Sequence, residues 1–167
     1  MKKFLQHIEE TFQYQTLAVM SSLAIGADTL VAQRILKHPG AKLIVPLPLK
    51  QENYETDFES DDQQVFRNLL KNANEVFEMP DANSREEAYE AGGKFILENC
   101  DVLLTIWDGQ GAQGQGGTGE MVAIARENKM PIAWIHAGNR KPGTQEPTSL
   151  VDKQGLVTFE NFSVKLK

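Results

Sequence analysis

The 167 residues suffice for one ordinary domain, and a hydrophobic share of 41% fills one core and no more. A net charge of -6 without long charged blocks excludes a generic binder of nucleic-acid backbones, which needs a basic face to displace counterions. The one cysteine, Cys100, excludes an intramolecular disulfide, the opening Met1-Lys2-Lys3 leads into no secretion signal, and no run approaches the roughly 20 apolar residues of a membrane span. We therefore expect a cytoplasmic protein with neither nucleic acid nor membrane as a partner.

The chain opens on a helix-like segment, Lys2 to Tyr14. A doubly wound domain normally opens on a strand and a glycine-containing turn, so the sheet is expected to lack its first strand or to receive it from a partner chain or an upstream segment. Short apolar runs rich in β-branched residues follow at Leu17 to Met20, Leu43 to Leu47, Val76 to Met79, Val102 to Trp107 and Pro131 to His136. Helix-like segments separate them, which predicts βα units, an α/β fold and a Rossmann-like open parallel sheet with helices on both faces. The runs at 102 and 131 have almost no polar alternation, the pattern of central strands covered on both faces.

The helices are legible from their ends. One is predicted from Ala27 to Lys37, with Leu30, Val31 and Ile35 inward, stopped by His38-Pro39-Gly40. Ser84-Arg85-Glu86-Glu87 reads as a capping box opening a helix that Asn99 closes, with Ala88, Gly92, Phe95 and Ile96 on one stripe and Gly92 and Gly93 allowing close approach. A third helix spans Thr118 to Asn128. Asn139 to Thr148, with two prolines and a glycine, reads as a mobile surface loop before a last short strand near Leu156 to Phe159. Residues 1–167 thus form one domain.

The strongest local signal is Trp107 to Glu120, with six glycines in fourteen residues between a strand and a helix. Each glycine costs backbone entropy that only a special conformation recovers, and at this place several N–H groups and the helix dipole converge on one point suited to a phosphate. The residues expected at ligand are Asp108, Gly109, Gly116, Gly117, Thr118 and Glu120. Thr118 is the expected N-cap. Glu120 would repel phosphate, so it either faces a ribose hydroxyl or complements the helix dipole. Trp107 either stacks on a base or packs in the core.

A second constellation is Ser21-Ser22-Leu23-Ala24-Ile25-Gly26-Ala27-Asp28, again a strand end, a small-residue turn and a helix start. It should join the glycine-rich loop, because ligands in open parallel sheets collect beyond the carboxyl ends of the strands. Asp28 either caps its own helix or reaches ligand. Pro46 to Pro48 and Tyr54 to Phe58 should wall the same edge. Arg85 sits at the wrong end of a helix dipole, so it pairs either with Glu86 or Glu87 or with a ligand phosphate, with Tyr89 one turn on. His7, His38 and His136 lack ligand spacing, so no metal and no cofactor is expected, and Cys100 is read as packing.

Taken together, Ser21 to Asp28, Leu47-Pro48-Leu49 with Tyr54 and Asp57-Phe58, Arg85 with Tyr89, and Cys100 to Gly109 leading into Gly116 to Glu120 resemble the SLOG superfamily. That group joins nucleotide-sensor domains with the lonely-guy phosphoribohydrolases and DNA-processing proteins. The resemblance covers Leu17 to His136 and is closest to sensor domains of anti-phage systems associated with TIR proteins. It implies a ligand with two phosphates, such as a cyclic ADP-ribose isomer, held by Ser21, Ser22, Arg85 and Gly116 to Thr118, and it implies a homo-oligomer. Two departures stand beside it: the family's early glycine, histidine and arginine cluster is absent, and Gly116-Gly117-Thr118-Gly119-Glu120 is compressed relative to the hydrolases' motif. The leading expectation is non-enzymatic sensing or sequestration of a nucleotide-derived signal. The alternative is a phosphoribohydrolase acting on a nucleoside monophosphate, with Glu120 and Arg85 as its catalytic residues.

Overall fold

In the computed structural model, residues 2–11, 16–111, 116–138, 146, 148 and 150–162 are described. Helix α1 (Lys2–Thr11) leads to β1 (Ala18–Met20), α2 (Ala27–Ile35) and β2 (Lys42–Leu47). A short α3 (Gln51–Tyr54), a 3-10 turn (Glu55–Asp57) and α4 (Ser60–Lys71) connect to β3 (Glu75–Glu78). Then come α5 (Arg85–Glu98), β4 (Leu103–Trp107), α6 (Thr118–Glu127), β5 (Ile132–His136), a 3-10 turn (Val151–Lys153) and β6 (Val157–Glu160). The fold is Rossmann-like α/β, and all six predicted strands are present. The expected loop at 139–148 and the end of the first helix at 12–14 lie outside the described residues, apart from Glu146 and Thr148.

The sheet departs from expectation in two ways. It is parted into β1-β2-β3, all parallel, and β4-β5-β6, in which β4 and β5 are parallel but β6 returns antiparallel to β5. Among the described residues no backbone hydrogen bond joins β1 to β4. As a result β4, whose sequence reads as fully covered, buries only Thr105, while its apolar residues stay half-buried.

The main core is built mostly by the first half, with Ala133 of β5 joining it. Alternation along β2 sends Leu43, Val45 and Leu47 into one cluster with Ala32 and Ile35 of α2, Phe66 and Leu69 of α4, and Phe4 of α1. Pro46 is tolerated in a middle strand because its position faces β1 beyond that strand's end, where no partner needs an N–H; its carbonyl accepts instead from Ser22 Oγ at 2.8 Å. The second half holds a smaller cluster of Leu97, Met121, Ala125 and Ile132. Helix α1 crosses the parting, since Phe4 enters the first core while the His7 ring packs at 4.0 Å on Phe159 of β6.

Helix α5 carries the predicted cap in modified form. Ser84 Oγ accepts from Glu87 N at 3.1 Å, but the Glu87 carboxylate turns back to Asn83, accepting from its backbone N at 3.1 Å and its side-chain amide at 2.9 Å. Gly93 lies against α6, where a Cβ would stand 2.5 Å from Met121 Sδ and the methionine side chain would have to shift.

Candidate ligand site at the parting of the sheet

The loop after β1 is held by its own side chains. Ser21 Oγ donates to Asp28 Oδ2 at 2.9 Å and accepts from Leu23 N at 3.0 Å. Leu23 has φ 61 and is fully buried, a left-handed backbone that a branched side chain adopts only where its surroundings dictate it. Gly26, at φ 108, is the N-cap of α2. Asp28 therefore does not cap its helix. It sits in the first turn with its carboxylate turned to Ser21, and burial pushes its pKa up, opposed by the hydrogen bond from Ser21.

The opposite lip is the entrance to α6. Its N-cap is Gly117 and not Thr118, which is already helical, and no side chain caps Gly117. Gly116, at φ 77, lies so close to α5 that a Cβ would stand 2.8 Å from Glu90 N and 3.0 Å from the carbonyl carbon of Tyr89. Glu120 Oε2 accepts from Gly116 N at 2.7 Å, so this carboxylate ties down its own loop.

The third wall comes from the turn after α3. Arg85 Nη1 donates to Asp57 Oδ2 at 2.9 Å, and its Nη2 donates to Asn53 O at 3.1 Å and Thr56 Oγ1 at 3.2 Å. Tyr89 OH donates to the same Asp57 oxygen. The partner of Arg85 is thus Asp57, neither of its helix neighbours Glu86 and Glu87. Tyr54 is buried behind this group, and its hydroxyl pKa is raised chiefly by burial, with Asp28, Tyr89 and Asp57 adding to it.

Between these walls lies a cavity of about 1440 Å³. Of the sequence-predicted residues, Ser21, Ser22, Asp28, Tyr89, Gly116, Gly117 and Thr118 line it, as do Pro48, Tyr54, Asp57 and Phe58 of the expected edge. Leu23, Gly26, Arg85, Trp107, Asp108, Gly109 and Glu120 do not. Leu23 and Gly26 shape the first loop from behind, and Arg85 and Glu120 are held as described.

Trp107 points into a surface stack with Trp134, ring centroids 5.0 Å apart, beneath the Arg126 guanidinium. Asp108 Oδ1 accepts from Gln110 N at 3.0 Å and closes a turn, while Gly109, at φ 83, faces the Trp134 ring. Sequence reasoning missed the far end of the cavity, where Leu5 and Ile8 of α1 meet Ala18, Leu104 and Ile106. Their signal was the apolar face of α1, which had no predicted partner. Cys100 lines that end too, and burial pushes its thiol pKa up to about 11.

Among the described residues no group of three or more His, Cys, Asp or Glu is placed to hold a metal ion, and no helix is long and apolar enough to cross a membrane. No protein-family model matches the sequence, and no curated protein matches it either.

Proposed function

We propose that this chain binds a nucleotide-derived small molecule at the mouth of the cavity and returns it unchanged. The observation that carries the reading is the convergence of Ser21, Ser22 and Asp28 from one half of the sheet with Gly116, Gly117 and Thr118 from the other, beyond the carboxyl ends of β1 and β4. That is where ligands collect in open parallel sheets. The opening of α6 at a Gly117 without a side-chain cap attracts an anion such as a phosphate to the N–H groups beyond Gly116, whose own N–H is already taken by Glu120. Asp57, held by Arg85 and Tyr89, supplies fixed acceptors for ribose hydroxyls. The resemblance to SLOG sensors supplies the ligand class, a cyclic ADP-ribose isomer or a related dinucleotide, and with it an expected homo-oligomer.

Binding is favoured over hydrolysis because the two groups a phosphoribohydrolase would use, Glu120 and Arg85, are both outside the cavity lining and engaged with protein. The test is to mix the purified protein with adenosine monophosphate, ADP-ribose and cyclic ADP-ribose isomers, remove unbound material, denature, and identify what is released by mass spectrometry. One ligand returned intact is the expected result, lost in a Thr118→Glu variant that sets a carboxylate at the opening of α6. Retention of none sinks the reading, and free adenine with ribose phosphate replaces it by the hydrolase.

A further inference from the structure

Ser21 and Ser22 of the first lip both line the cavity, and each hydroxyl brings one proton and two lone pairs. Ser22 gives its proton to Pro46 O at 2.8 Å, an acceptor that no change of pH removes. Ser21 gives its proton to Asp28 Oδ2 at 2.9 Å and takes the N–H of Leu23 on one lone pair at 3.0 Å. What Ser21 has left for a ligand is its second lone pair, which suits a hydroxyl or an amine and repels a phosphate oxygen. Asp28 differs from Pro46 in one respect: its carboxylate can take up a proton. In the acid form its O–H donates to the second lone pair of Ser21, and the serine proton is released toward the cavity.

The surroundings favour that acid form. Among the described residues no Lys or Arg lines the cavity, so no cation there holds Asp28 in its ionised state. The titratable groups that share the mouth with it are Tyr54 of α3, Asp57 of the following turn and Tyr89 of α5. Burial raises the pKa of both tyrosine hydroxyls, and Asp57 already has Arg85 as its partner. On α4, which packs against α2, the charged residues are Asp61, Asp62, Arg67 and Lys71, and Arg67 is bound by Glu55 at 2.9 Å. Glu9, Glu10, His38, Cys100 and Asp101 line the far end of the cavity. Burial therefore pushes the Asp28 pKa up, opposed by the hydrogen bonds from Ser21 and the Ala24 backbone.

We propose that Ser21 and Asp28 form a proton-operated selector, presenting a donor to a ligand phosphate when Asp28 is protonated and an acceptor when it is ionised. The nucleotide-derived ligand is bound together with one proton. Both lips then hold phosphate at once, the first through the Ser21 hydroxyl and the second through the opening of α6. This inference deepens the nucleotide reading and rests on it. Its sign follows from linkage. Below the pH at which Asp28 ionises in the free protein, affinity is constant; above it, each unit of pH lowers the association constant about tenfold, until Asp28 ionises in the complex as well.

The full chain is titrated calorimetrically with ADP-ribose and with cyclic ADP-ribose isomers, whose phosphates carry no proton in the range used, about pH 5 to 8. Buffers of different ionisation enthalpy count the protons exchanged. The expected result is a loss of about tenfold in affinity per pH unit above the break, with about one proton taken up per ligand. Asp28→Asn, whose side-chain amide donates to Ser21 at every pH, should bind at about pH 8 as tightly as the parent does at about pH 5, without a slope. Adding Ser21→Ala to that variant should weaken binding about tenfold or more. If Asp28→Asn does not fold, the Asp28 carboxyl carbon of the parent is followed by NMR and should move to its protonated position when ligand is added. Affinity that is equal across the range, with no proton taken up, overturns the proposal and leaves the nucleotide reading standing. A slope that survives in Asp28→Asn, or a double variant that binds as well as the single one, overturns it too. No binding at any pH removes the nucleotide reading and this inference together.

Discussion

The two halves of the sheet are built differently although each contributes one lip of the same cavity. The first half, β1 to β3, builds most of the large core around Leu43, Val45, Leu47 and Phe66, and its lip is a buried loop locked by Ser21, Asp28 and the left-handed Leu23. The second half, β4 to β6, has a core of four buried residues and finishes its open side with a stack of Trp107, Trp134 and His136 under Arg126. Its lip is held by backbone approach of Gly116 to α5 and by Glu120. The difference teaches that the site is assembled between one rigid wall and one wall that depends on close contact with its neighbour. The largest expected effect tests the first wall. Phe66→Ala, at a fully buried ring, should cost about 3–5 kcal/mol in urea unfolding. Amide protection should fall in β1 to β3 before β4 to β6; equal loss in both halves would mean that the parting has no energetic meaning.

A second pair of variants sets one lip against the other. Gly116→Ala meets both a positive φ and a backbone nitrogen 2.8 Å from the new carbon, so it should cost ~1–3 kcal/mol and displace the opening of α6, abolishing ligand retention. Gly26→Ala meets open space but a backbone, φ 108 and ψ -110, that only glycine adopts freely, so it too should cost ~1–3 kcal/mol, with retention kept. Thermal denaturation measures the cost and the ligand-release assay separates the two. A reversed pattern of retention would show that the first loop, not the second, is the delicate one.

Much of this was legible beforehand because it is local. The strand runs, the Ser84 cap and the glycine-rich turn are set by residues within a few positions of each other, and they appear close to where the sequence puts them. Pairing across the chain was not legible. Arg85 beside Glu86 and Glu87 gives no hint that Asp57, 28 residues away, takes its charge. The short α3 and its following turn, which bring Asp57 there, have no amphipathic pattern long enough to read. Trp107 looks the same in sequence whether it stacks on a base or on Trp134. The antiparallel return of β6 is likewise a property of topology, since a four-residue apolar run pairs as readily in either direction.

The two halves should also answer pH in opposite directions. Burial raises the pKa of Asp28, so the native state holds its proton more tightly than the unfolded chain. That contribution is neutral at low pH and becomes destabilising as pH rises from the unfolded carboxylate range through the raised native value, by about 1.4 kcal/mol per unit of displacement. Asp28→Asn should therefore gain on the parent as pH climbs toward neutral. On the second half, Glu160 accepts from Arg126 at 2.9 and 2.8 Å, which lowers its pKa. Its stabilisation is present above the unfolded value and lost as pH falls through the lowered native one. With both side chains partly exposed the pair is worth about 0.2–1 kcal/mol. Glu160→Gln should lose a little at neutral pH and nothing in acid, measured by urea midpoints from pH 3 to 7, on the order of the carboxylate range. Parallel pH profiles for the two variants would erase this contrast.

The smallest effect concerns the helix that bridges the parting. His38, in the turn after α2, shares a hydrogen bond of 2.8 Å with Glu9 of α1, and this contact, ahead of the small opposing effect of burial, raises the imidazole pKa. A raised histidine value means that the contribution is complete below the unfolded pKa and disappears as pH rises through the native one. The site is at the surface, so the effect on unfolding should be slight and the imidazole itself is the better reporter. In an NMR titration the His38 ring should titrate above an ordinary histidine, and Glu9→Gln should return it toward the ordinary value. If the variant leaves the titration unchanged, α1 is not fastened to the first half at this point, and its hold on the molecule rests on Phe4 and on the packing of His7 against Phe159.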